Sequence, residues 1–203
     1  TTLFRSARLA VAVAIGVVPW VLTPHGPMVT VLVGVLLVVP VLYSVPPTRL
    51  KGRGLAGVAA DATDAHIAPT ILAFAVMAAA GTATPAWTVG CIAAGIWATG
   101  IGVRAILHHQ LLDRANDDAA GVRTYAARHG APAAVRLGRA AFVVELAGLA
   151  GLAAALAATA AWVLLPFAAY AVVWWLDHRW EARTIEPVPL PGEEWMPLVE
   201  FYQ

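Results

Sequence analysis

Between residues 104 and 130 the chain reads RAILHHQLLDRANDDAAGVRTYAARHG, its one long run dense in ionisable side chains. Asp113, Asp117 and Asp118 lie within it, with His108, His109 and His129 and with Arg104, Arg114, Arg123 and Arg128. Asp113 and Asp117 are four positions apart and share a face if the segment is helical. Carboxylates so placed suit a hard cation such as Mg²⁺, which takes one or two of them and leaves its other positions to substrate phosphates and water. A cation held there would bind a diphosphate and disperse the charge that builds as it departs. Arg123 adds a fork of donors for phosphate oxygens, and Asn116 and Asp118 stand beside the pair. The D-x-x-x-D spacing alone also describes an ordinary solvated helix face, so the surrounding chain must decide.

That surrounding chain belongs in a bilayer. It is 60% hydrophobic and 12% charged, against roughly 45–50% and about 25% in soluble domains. Six stretches are long enough to span or nearly span: about 7–22, 28–43, 66–81, 85–107, 136–158 and 160–176. Runs of this kind read as helices, because a lone span in hydrocarbon can satisfy its backbone only internally. The expected fold class is therefore all-α, a polytopic transmembrane bundle. All thirteen Lys and Arg fall in the N-terminal stub, the 44–54 loop, the 104–139 region or the tail after 176. The alternate turns near 23–27, 81–85 and 158–161 carry none, so the basic loops share one face, which the positive-inside rule makes cytoplasmic. The single cysteine, Cys91, lies in an apolar span and offers no intrachain disulfide. One Lys against twelve Arg, with abundant Ala, suggests a GC-rich bacterial source.

A second polar stretch, YSVPPTRLKGRG at 43–54, links two of these spans. Its prolines favour an extended backbone, and Arg49, Lys51 and Arg53 follow within five positions. Such a loop meets anionic headgroups in many membrane proteins; equally, it forms a cationic arm over a phosphorylated substrate. Tyr43 reads as an interfacial anchor or as part of that arm. Asp61 and Asp64 are expected to open the third span, where the helix dipole would favour them; with His66 beside them they could instead line a polar cavity. Gly130 and Pro132 mark a helix stop and restart. Glu145 is expected to be buried near the cytoplasmic third of the fifth span, and the proline-rich stretch 186–197 is expected along the surface. Thr2-Leu3 with Arg5 and Arg8 echoes Thr124-Tyr125 with Arg128, Arg136 and Arg139, a faint sign of two similar halves.

Two membrane chemistries are disfavoured directly. A desaturase needs several histidine boxes, and only one His-His pair exists; a CDP-alcohol phosphotransferase needs D-x-x-D-G-x-x-A-R, which does not occur. The run HHQLLDRANDDAAGVRTYAARHG resembles instead the second aspartate motif of the UbiA superfamily of membrane prenyltransferases, H-Q-x-x-D-x-x-x-D-x-x-x-G-x-x-T followed by a glycine. His109, Gln110, Asp113, Asp117, Gly121, Arg123, Thr124 and Gly130 fall in register. YSVPPTRLKGRG resembles the tyrosine- and lysine/arginine-bearing loop that precedes that family's second helical half.

The resemblance implies a helical bundle around a central cavity and Mg²⁺-dependent transfer of an isoprenyl group from its diphosphate to a lipophilic, often aromatic acceptor. Asp113 and Asp117 would then hold Mg²⁺. Arg49, Lys51, Arg53 and Arg123 would contact the diphosphate, and Tyr43, His109 and Gln110 would lie on the substrate side. Membrane lipids are the expected surroundings, and no nucleic-acid partner is expected. The family's first motif, N-D-x-x-D-x-x-x-D, is missing, and no Asp or Glu precedes Asp61. On this reading residues 1–185 form the C-terminal two-thirds of a UbiA-like domain, with 186–203 leading to a further span. The isolated chain is accordingly expected to be inactive. The competing reading is a non-catalytic membrane scaffold or degenerate relative whose acidic loop is merely solvated. A transporter piece would need ionisable residues deep in several spans.

Overall fold

The computed structural model describes residues 11, 14–20, 22, 25–82 and 84–181. Most of these residues are helical, with no strand among them. Helix α1 spans Pro27–Ser44, with Pro27 in its first turn, where a missing N–H costs nothing. Helix α2 runs Leu55–Gly81 and α3 runs Pro85–Leu112. Between those two, Gly81 takes φ 86° and Thr84 caps α3 by accepting the Trp87 N–H at 3.1 Å. Two short helices, α4 (Arg114–Ala119) and α5 (Tyr125–His129), lead to α6, Ala131–Ala160, which is followed by α7, Leu164–Glu181.

Six spans were expected; four helices among the described residues are long and apolar enough to cross a membrane, namely α1, α2, α3 and most of α6. The expected first span, 7–22, is described only in part and is helical over 14–20. Its basic N-terminal flank and the tail 186–203 lie outside the described residues. Large apolar side chains such as Val31, Val38, Ile92, Val143 and Leu146 face outward, as they do where the surroundings are lipid tails.

The third span begins eleven residues earlier than 66. Gly54, at φ 60°, turns the chain out of the loop, and α2 starts at Leu55. Asp61 and Asp64 therefore sit well inside the helix, beyond the first turn over which the dipole acts. At Thr63–Ile67 the helix widens into a π-turn, closed by the Ala68 N–H on Thr63 O. This wide turn lies directly before Pro69, whose ring has no N–H to donate and would crowd the Ala65 carbonyl of a regular helix.

Helix α3 is the centre of the bundle. Half of its apolar window is buried, against 11% for α1, and it packs most extensively on α6. Small residues allow this. A Cβ on Gly100 would stand 2.6 Å from Ala141 O, and one on Gly148 2.8 Å from Ala93 O. Gly102 likewise admits α2, with Ala62 and the His66 Cβ at 3.0 and 3.1 Å from where its own Cβ would be. Close backbone approach of this kind is how helices associate where no water drives them together.

Candidate functional site

The α1–α2 loop and the α3–α6 connection meet at one end of the bundle. Arg128, on α5, joins them: its Nη2 donates to Gly52 O at 2.7 Å and its Nε to Arg123 O at 2.9 Å. Gly52 lies against the Arg123 backbone, and Gly54 lies against the aliphatic part of Arg128. The loop is also shaped from within. Arg53 donates to Pro47 O at 2.9 Å, and Arg49 adopts φ 34° just ahead of the tight turn Leu50–Gly52. That turn rests directly on α2, since a Cβ on Gly57 would stand 2.7 Å from Leu50 O.

These constraints set Lys51 over the acidic helix. Its Nζ lies 3.4 Å from Asp117 Oδ1, with the lysine side chain 39% exposed and the aspartate 7%. Asp113 is the pivot between α3 and α4. Its N–H bonds to His109 O at 2.9 Å, its O accepts from Asp117 N at 2.8 Å, and its side chain faces water. The two carboxylates are thus one helical turn apart, as their spacing predicts, but they differ in burial. Tyr43 on α1 lies within electrostatic reach of Asp61 on α2 and of Asp117, and Asp61 within reach of His109.

The remaining expected site residues divide by what they already hold. Gln110 is buried and its Oε1 accepts the Ala126 N–H at 3.2 Å. Thr124, fully buried, accepts the Ala127 N–H at 3.3 Å. Together they satisfy two otherwise orphaned donors at the start of α5, and so they orient Arg128. Arg49, Arg123 and His109 are exposed. Arg53 belongs to the loop's own framework.

Three features of the site carry no signal that spacing alone could reveal. Arg128 is one arginine among four in the sequence, and its two carbonyl partners, one of them 76 residues away, are brought to it only by the fold. Asp61 reaches Tyr43 only because α2 starts early. Deeper still, Arg104 donates Nε to Glu145 Oε2 at 2.8 Å and Nη2 to Oε1 at 3.0 Å, with Phe142 beneath the guanidinium at 5.5 Å. Arg104 lies eight residues inside α3, roughly 12 Å below Leu112 at the usual helical rise. A bidentate pair in hydrocarbon is paired charge rather than exposed charge.

Among the described residues no three His, Cys, Asp or Glu side chains converge as a metal cage. Asp113 and Asp117 offer two carboxylates at the rim, which suits a Mg²⁺ ion whose other ligands arrive with a phosphorylated substrate. Comparison with protein-family models, with curated proteins and with solved structures gives no match.

Proposed function

We propose that the chain is the core of a prenyltransferase that moves an isoprenyl group from its diphosphate to a lipophilic, often aromatic acceptor within the membrane. The observation that carries this reading is the meeting of the cationic loop with the acidic helix, Lys51 Nζ at 3.4 Å from Asp117. A merely solvated loop gives no reason for an arginine to clamp those two segments together. The resemblance of both segments to UbiA motifs supports the same activity, as does a bundle whose outer face is apolar.

Asp113 and Asp117 would hold Mg²⁺, which when bound supplies the charge that stabilises the departing diphosphate. Lys51, Arg49 and Arg123 take phosphate oxygens from the loop side. Arg53 acts by bracing the loop, and Gln110 by fixing α5, rather than by touching substrate. Tyr43 and His109 face the substrate from below. The carbon–oxygen bond to the diphosphate breaks, the acceptor carbon bonds the prenyl carbon, and the acceptor loses a proton. The site opens on the cytoplasmic side of a bacterial membrane, where the basic loops lie.

The test is binding of a non-cleavable geranyl thiodiphosphate to the chain in lipid nanodiscs. Binding is expected to require Mg²⁺ and to weaken at least about tenfold in Asp117→Asn, the loss of one charge-assisted contact. Binding that ignores Mg²⁺ and survives that substitution overturns the reading. A second reading, a non-catalytic scaffold with a solvated acidic loop, is favoured by the water-facing side chain of Asp113, and that same negative result is what it expects.

A further inference from the structure

We infer that the Lys51 ammonium is the resident counter-cation of Asp117, and that a divalent cation takes this carboxylate only when a diphosphate arrives to draw Lys51 away. The inference rests on the proposed diphosphate site and adds an order of events to it.

Asp117 is almost fully buried, and the cation beside it in the folded chain is a lysine. A divalent ion approaching those oxygens meets an ammonium at the same place, and the two repel most strongly where water is scarce. Free metal is therefore held off. The contact is also a loose one. At 3.4 Å it is longer than the 2.7–2.9 Å usual for a charge-assisted bond, and the lysine side chain is 39% exposed. It can swing outward without crossing a desolvation barrier.

The backbone beneath Lys51 does not share that freedom. Arg128 grips Gly52 O, and the Leu50–Gly52 turn lies on Gly57. Lys51 thus moves its head-group while remaining within reach of the rim. A diphosphate is long enough to hold Lys51 by one phosphoryl group while presenting oxygens from the other to a metal at Asp117. Inorganic phosphate has a single phosphoryl group and does both poorly. Metal and diphosphate then bind as a unit, each raising the affinity of the other by the same factor.

Equilibrium dialysis of the nanodisc-embedded chain against Mn²⁺ tests this, with no addition, with inorganic phosphate, or with inorganic diphosphate. In the native chain Mn²⁺ alone is expected to bind weakly, phosphate to change little, and diphosphate to strengthen retention. Lys51→Gln is expected to raise affinity for Mn²⁺ alone by roughly threefold to tenfold, the effect of removing one partly screened like charge, and to erase most of the gain from diphosphate. Lys51→Arg keeps the charge and should keep Mn²⁺ alone weak, which separates displacement from damage to the fold. Unchanged or lower affinity for Mn²⁺ alone in Lys51→Gln overturns the inference. If Asp117→Asn leaves the Mn²⁺–diphosphate retention of the native chain intact, the site itself is wrong, which is a different failure.

Discussion

Arg128 commits its guanidinium to two main-chain oxygens, and neither can be replaced by another side chain in the same place. Lysine reaches one carbonyl but not both, because its ammonium is a point charge rather than a planar fork. Replacing Arg128 with Ala should therefore free the 45–54 loop while leaving the spans folded. The two lost bonds are at the surface and amount to about 1 kcal/mol each. Trypsin cleavage after Lys51 and Arg53 is then expected to quicken by roughly 5- to 30-fold, with unchanged helical circular dichroism. Equal cleavage in the native and variant chains would show that Arg128 does not clasp the loop. At this scale the grouping of residues was largely legible: the acidic stretch, the cationic loop and the helix stop at Gly130 all follow from residue type and spacing. What spacing does not reveal is which cation meets which carboxylate. Arg49, Lys51 and Arg53 are equivalent in a charge pattern, and only the left-handed turn at Arg49 and the Arg53–Pro47 bond leave Lys51 as the one that reaches Asp117.

Between elements, the contact of α3 with α6 is where stability is most easily lost. A methyl group added at Gly148 would stand 2.6 Å from the Trp97 Cα, and the obstacle is backbone, which has no rotamer to yield. Gly148→Ala is expected to cost about 1–3 kcal/mol by forcing the helices apart. Gly34→Ala, on α1, has open space around it and should be neutral or stabilising by up to about 1 kcal/mol through helix propensity. Thermal unfolding in one detergent compares them, and equal effects would refute this packing. The pair Arg104 and Glu145 gives an independent check. Either Arg104→Met or Glu145→Leu leaves a buried charge without its partner, at about 3–5 kcal/mol, whereas the double variant should recover most of that loss. A double variant as unstable as the sum of the two would mean that the charges do not act as a pair. The sequence marked Glu145 as buried but not its partner, because Arg104 reads as the first residue of a polar segment. It is in fact the last charge of an apolar one, turned inward by helical phase. The start of α2 was hidden for a related reason: Gly54 begins a helix by backbone geometry, without the Ser, Thr or Asp that usually signals a start.

For the molecule as a whole, the two polar segments must lie on one side of the bilayer. Single cysteines at Arg53 and Asp118, in a Cys91→Ala background, are expected to react with an impermeant maleimide from the cytoplasmic side, and one at Thr84 from the opposite side. Labelling of the first two from different sides would dismantle both the topology and the site. The charge pattern predicts this sidedness because basic loops alternate with uncharged turns, a property of the whole chain that survives errors in single boundaries. The limits of the crossings were less readable, since hydropathy weighs each run alone while the folded helices extend well past their apolar stretches, as α2 and α6 do. The grip of Arg128 on Gly52 also has a bearing on biosynthesis. Those residues are 76 positions apart, so at roughly 5–20 residues per second the ribosome makes the arginine about 4–15 s after the glycine. Throughout that interval the nascent cationic loop has no clasp, and for most of it no acidic helix to rest on. Its settled contacts with Arg128 and Asp117 therefore form only after the intervening hairpin of α2 and α3 has been made.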